Sequence, residues 1–153
     1  MLTKKNLVIG VILLIVLMQV FQIDKENPPV DPSIDLITVM EPPLEVANIL
    51  KASCYDCHSH ETEYPWYTNI APFSWWIGHH IEEGREHLNF SEWANYEEKK
   101  ALHKLEEMYE EVEEGEMPLE SYLWIHSEAK LSKRQSAALI NWVKSIPGVE
   151  DDH

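Results

Sequence analysis

The stretch Cys54-Tyr55-Asp56-Cys57-His58 holds both cysteines of the 153-residue chain, with a histidine directly behind the second. On a helix these side chains stand at i, i+3 and i+4, so two sulfurs and an imidazole leave from one face. That set suits a covalently held haem c, one per chain. Thioethers from the thiols to the two vinyl groups fix the macrocycle, and the adjacent imidazole reaches the iron. A thioredoxin-like dithiol would follow a strand in a βαβ pattern, whereas these cysteines follow an amphipathic helix. A zinc site needs two more ligands in register, which His79, His80 and His87 do not supply. A plain disulfide gives His58 no task.

A six-coordinate iron needs a second axial ligand. Met117 stands in Glu-Glu-Gly-Glu-Met-Pro-Leu-Glu, a loop punctuated by Gly115 and Pro118, and its thioether is a soft ligand able to approach from the side opposite His58. The alternative distal ligand is His80 or His79, on a segment where Ile77, Ile81 and Gly84 form an apolar edge that a flat macrocycle can approach. His80, Glu83 and His87 share one helical face and would be the ligands of any second metal. His60, His103 and His126 have no such context. Tyr64, Trp66, Tyr67, Phe73, Trp75 and Trp76 follow the cysteines closely; they serve as core, or as the wall of a haem pocket.

The elements that must position these groups read as helices. Leu44 to His58 carries Val46, Ile49 and Leu50 on one face; Phe73 to Leu88 has Phe73, Ile77, Ile81, Gly84 and Leu88 as its stripe. Glu97 to Glu114 buries Leu102, Leu105, Tyr109 and Val112, with Asn95 as a candidate N-cap. Ser132 and Gln135 form a capping box for a last helix that buries Leu139, Trp142, Val143 and Ile146 and stops at Pro147-Gly148. No alternating strand or internal repeat is present, so the expected fold class is all-α.

Ahead of this domain, Lys4 and Lys5 precede an apolar run over residues 7–23. It reads as an uncleaved signal anchor, a single N-terminal transmembrane helix, with membrane lipid as its partner. The flanking charges place the C-terminal domain in the periplasm, at the cytoplasmic (inner) membrane. Residues 24–43, with five prolines from position 28 to 43, read as an extended tether; 44–147 is the haem-binding domain and 148–153 an acidic tail. The chain has 27 acids against 12 bases, a balance that repels nucleic acid. The excess acid reads as a solvated face, with a docking patch as the secondary reading.

From Leu44 to Ile146 the chain resembles a small bacterial haem-binding domain family, a cytochrome c-like module with an N-terminal anchor. The resemblance is carried by CYDCHSHETEYPWYTNIAPFSWWIGHHIEEGREHLNFSEW, GEMPLESYLWIH and LSKRQSAALINWV. It implies covalent haem at Cys54 and Cys57, His58 as axial ligand and a methionine-proline element at Met117-Pro118. His60 departs from the family pattern, which has a small polar residue there. The expectation is thus a membrane-anchored monohaem c-type cytochrome that passes single electrons between redox protein partners. A haem-based redox or gas sensor and a haem peroxidase are the alternatives.

Overall fold

The computed structural model describes residues 3–149, so 150–153 of the expected acidic tail lie outside the described residues. Among the described residues the regular elements are all helices, without a strand. Its helices are α1 (Lys4–Met18), α2 (Leu36–Met40), α3 (Leu44–Ser53), α4 (Tyr55–His58), α5 (Phe73–His87), α6 (Glu98–Glu114), α7 (Glu120–Leu123) and α8 (Lys133–Lys144). Single-turn or short 3-10 segments at Trp66–Asn69, Phe90–Asn95 and Ser127–Ala129 join them. The all-α expectation is met.

The expected transmembrane helix is not. α1 has 15 residues, a rise of about 22 Å against a hydrocarbon core of about 30 Å. Among the described residues no helix is long and apolar enough to cross a membrane. The anchor, and with it the placement at the inner membrane with a periplasmic domain, is corrected. The end of the apolar run, residues 19–23, is used by the folded domain instead. Helix α1 ends at Met18, and the Gln19 side chain exchanges two hydrogen bonds with the Ala71 backbone, at 3.0 and 2.9 Å. Trp75 Nε1 donates to the Phe21 carbonyl, and Ile23 packs against Gly78 of α5. Five residues of the run, 19–23, are thereby spent outside a helix.

Within residues 24–43, Asp35 caps α2 by accepting from the Ile37 amide at 3.0 Å, and the Ala94 amide donates to the Ile34 carbonyl at 3.0 Å. Leu36 is wholly buried. It joins Val46, Ile49 and Leu50 of α3, Leu105, Tyr109 and Val112 of α6, Leu139 and Val143 of α8, and Phe90 and Trp93 in one core. Helix α8 packs on both α3 and α6, while α4 packs on α5. Each fully buried Leu or Val contributes about 1.5–3 kcal/mol. Helix α8 begins with the expected Ser132–Gln135 capping box. For α6 the N-cap position falls to Glu97 without a side-chain bond, because Asn95 is held inside the preceding 3-10 segment.

Candidate functional site: a thiol and imidazole turn beside an aromatic cleft

Helix α3 does not run through the cysteines. It stops at Ser53, Cys54 leaves helical geometry at φ −124°, and α4 begins again as a single turn. The amides of Cys57 and His58 both donate to the Cys54 carbonyl, at 3.2 and 3.0 Å. The i, i+3, i+4 placement therefore survives as one turn and not as part of a longer helix. The turn is pinned from beneath by Tyr55, a buried side chain stacked on Phe90 at 5.0 Å whose hydroxyl donates to the Asp35 carboxylate at 2.9 Å. Asp35 thus serves both α2 and the cysteine turn. Burial, with the Asp35 charge second, pushes the Tyr55 phenol far up, so it stays a donor.

His58 is set by helix α5. Its Nδ1 lies 2.9 Å from the Gly84 carbonyl oxygen and 3.0 Å from that of Leu88. Carbonyl oxygens only accept, so Nδ1 carries the hydrogen and Nε2 is left with its lone pair, the tautomer a metal-ligating imidazole needs. Burial also holds the His58 pKa below its ordinary value, so the ring is neutral. Both thiols are free and half-buried. Burial pushes Cys54 up to about 12, with the Cys57 charge second, and Cys57 up to about 11, with Asp56 adding and Arg85 opposing. A redox dithiol has a depressed thiol pKa; these are raised.

Beside the turn lies a mostly apolar cleft with about 60 Å³ of space inside it. Cys57, Tyr67, Phe73, Trp76, Ile81 and Tyr122 are among its walls. The aromatic run after the cysteines thus supplies part of the cleft wall, and Phe73 and Ile77 of the expected α5 stripe face the cleft. Gly84, expected to admit a macrocycle, instead admits α4: a Cβ there would stand 2.9 Å from the Cys57 carbonyl oxygen.

The candidate distal ligands separate. His80 lines the cleft, its Nδ1 bound to the Trp76 carbonyl at 2.8 Å and its ring against Trp76 at 4.4 Å. His79 is exposed and paired with Glu83 at 3.3 Å. Met117 is half-buried against the helical core, its amide donating to the Glu111 carbonyl at 3.1 Å, while Leu119 two residues on lines the cleft. Among the described residues no three His, Cys, Asp or Glu side chains gather for a metal ion. The grouping of His80, Glu83 and His87 therefore does not form.

Three residues without an expected role help build the site. Arg85 Nε donates to the Ser59 carbonyl at 2.8 Å, and its guanidinium reaches Asn27 Oδ1 and Thr62 Oγ1 at 2.8 and 2.9 Å. His60 is buried, 2.8 Å from Asn89 Nδ2 and 3.2 Å from the Pro29 carbonyl, which explains a large residue at that position. His126 bonds the Tyr67 hydroxyl in the cleft wall and stacks on Tyr122 at 4.3 Å. Arginine count and histidine position were visible in the chain, but nothing local named these partners.

Two unbridged thiols and a neutral imidazole with a bare Nε2 are the donor set that covalent haem attachment needs; Cys57 lines the aromatic cleft, while Cys54 and His58 are not among its lining residues. No curated protein and no solved structure matches the chain. The model of the haem-binding domain family matches residues 13–145, a span that takes in the cysteine turn, the cleft and the Met117 loop. The chain belongs to the haem-binding domain family.

Proposed function

We propose that the protein is a c-type cytochrome with one haem, attached through Cys54 and Cys57, ligated by His58, and used to pass single electrons. The observation that carries this is the doubly accepted Nδ1 hydrogen of His58, which leaves the lone pair of a neutral imidazole bare on Nε2 in the same turn as two free thiols. When bound, the haem supplies a one-electron ferric-ferrous couple. Gly84 and Leu88 fix the imidazole, Tyr55 and Arg85 hold the turn, and the aromatic cleft excludes water. Such a wall lowers the dielectric and favours the less charged ferrous state. The redox partners are other one-electron proteins.

The sixth position is assigned to Met117, on the loop whose Leu119 reaches the cleft. The second reading, His80, rests on its own place in the cleft wall and on an Nδ1 engaged in the same manner as that of His58. The test of attachment is haem staining after denaturing electrophoresis of protein expressed with c-type maturation. The wild-type band should stain and the Cys54→Ala/Cys57→Ala double variant should not. A wild-type band that loses its haem on denaturation would overturn covalent attachment.

A further inference from the structure

The cleft is built from two stretches of chain that carry no fixed positive charge. Residues 52–84 and 105–129 contain no lysine or arginine, yet the first holds five acids and the second nine. Of the cations bordering these stretches, Lys51 pairs with Glu61 at 2.7 Å, Arg85 binds the Ser59 carbonyl and Lys104 the His87 carbonyl, while Lys130 is exposed. Lys25 comes in from outside them to bond the Asn69 side chain in the Trp66 turn, so the acids outnumber the cations near the cleft. Around the mouth stand large apolar side chains that nothing covers. Trp66 and Trp124 are each 74% exposed, and Ile125, which lines the cleft, is 49% exposed. The two tryptophans belong to one region, since their near neighbours Tyr67 and His126 are hydrogen-bonded to each other across the cleft wall.

The backbone at Trp66 is tied in place while its ring stands exposed. Its 3-10 turn is tied by Thr68 Oγ1 donating to the Pro65 carbonyl at 2.6 Å and by Asn69 Nδ2 donating to the Trp66 carbonyl at 2.9 Å. It is also the outer end of a chain of rings. Trp66 to Tyr67 is 5.9 Å between centroids, Tyr67 to Phe73 6.0 Å, Phe73 to Trp76 5.6 Å and Trp76 to His80 4.4 Å. Exposed aromatics ringed by charge have the anatomy of an interface centre and rim. The sign of the rim chooses the partner. A second copy of this chain, at a formal net charge of −15, meets repulsion here, as does any acidic surface.

We propose that this mouth, with Trp66, Trp124 and Ile125 at its centre and Glu63, Glu120 and Glu128 on its rim, is the docking face for a basic one-electron redox protein. The inference rests on the haem-cytochrome reading above and adds the partner's chemistry and the surface it meets. One electron crosses, lost by one iron or copper centre and gained by the other, with no bond made or broken and no proton required. Docking over Trp66 places the partner at the end of the ring chain that leads into the cleft.

The test uses the full chain with its haem and two probes, a lysine-rich cytochrome c and ferrocyanide. Indole N–H shifts of Trp66 and Trp124 are followed by NMR during titration with the cytochrome, while a pyridine haemochrome spectrum of the same sample scores the haem reading separately. The two indoles should shift. The electron-transfer rate with the cytochrome should fall about tenfold or more between about 10 and 200 mM salt, while that with ferrocyanide should not fall. Trp66→Ala and Trp124→Ala should each weaken association about tenfold, with the haem spectrum unchanged. Glu63→Lys/Glu120→Lys should weaken it similarly, and Glu98→Lys, on α6 away from the cleft, should leave it unchanged. Salt-insensitive transfer, silent indoles, or a Glu98→Lys effect equal to that at the mouth would overturn the proposal.

Discussion

Gly84 and Cys57 are in backbone contact: a Cβ at Gly84 would lie 2.9 Å from the Cys57 carbonyl oxygen and 3.3 Å from the Cys57 Cβ. The same glycine's carbonyl accepts the His58 Nδ1 hydrogen at 2.9 Å. One residue of α5 therefore sets both the distance of the cysteine turn and the direction of its imidazole.

Gly84→Ala should push α4 from α5, since the clashing atom is backbone and has no rotamer to escape into. The expected cost is about 1–3 kcal/mol, typical of overpacking, together with a lower haem yield per chain. Thermal unfolding and the haem-to-protein absorbance ratio measure both. An unchanged melting temperature would show that the contact is looser than described.

The distal ligand is decided by paired variants. A thioether favours ferrous iron, so with Met117 bound, Met117→Ala should lower the reduction potential, remove the weak red absorption of a ferric Met-ligated haem and admit carbon monoxide. His80→Ala should then change little. The reverse pattern, with Met117→Ala silent and His80→Ala opening the iron, assigns the position to His80.

In the haem-free folded protein the thiols should be slow toward iodoacetamide. Burial raises both pKa values above the ordinary 9.0, to about 12 for Cys54 and about 11 for Cys57. A raised thiol pKa means less thiolate at any pH below it, so at pH 8 about a thousandth of Cys57 is ionised, against about a tenth of an ordinary thiol. Labelling should climb about tenfold per unit from pH 7 to 9 without levelling, whereas the urea-unfolded chain should begin to level near 9. A plateau in the folded protein below pH 9 contradicts the burial argument.

Arg85→Ala should remove three hydrogen bonds that join α5 to Ser59, Asn27 and Thr62. Hydrogen bonds to charged groups are worth about 1.5–3 kcal/mol each and are not additive, so a total loss of about 2–4 kcal/mol is expected by denaturant unfolding. Arg85→Lys should recover only part of it, because an ammonium cannot reproduce the planar fork.

The chain's own pattern was enough for the helical class, most of the apolar stripes of α3, α5, α6 and α8, the Ser132–Gln135 cap and the thiol, thiol, imidazole triplet. All of these rest on spacing along one helix or one turn, where neighbours in sequence are neighbours in space. Of the side chains expected to be buried, Leu102 stays outside the core and Trp142 and Ile146 are only partly buried. Tertiary structure decided the rest. Hydropathy along residues 7–23 reads as a span, but helix length is set where the backbone finds other partners, and Gln19, Phe21 and Ile23 find theirs at Ala71, Trp75 and Gly78. The His58 tautomer depends on carbonyls 26 and 30 residues away. His126, without context in the sequence, enters the cleft wall by bonding Tyr67, 59 residues distant. Such contacts join residues far apart in the chain, and local periodicity carries no signal for which side chain will meet which; that pairing exists only once the helices have packed.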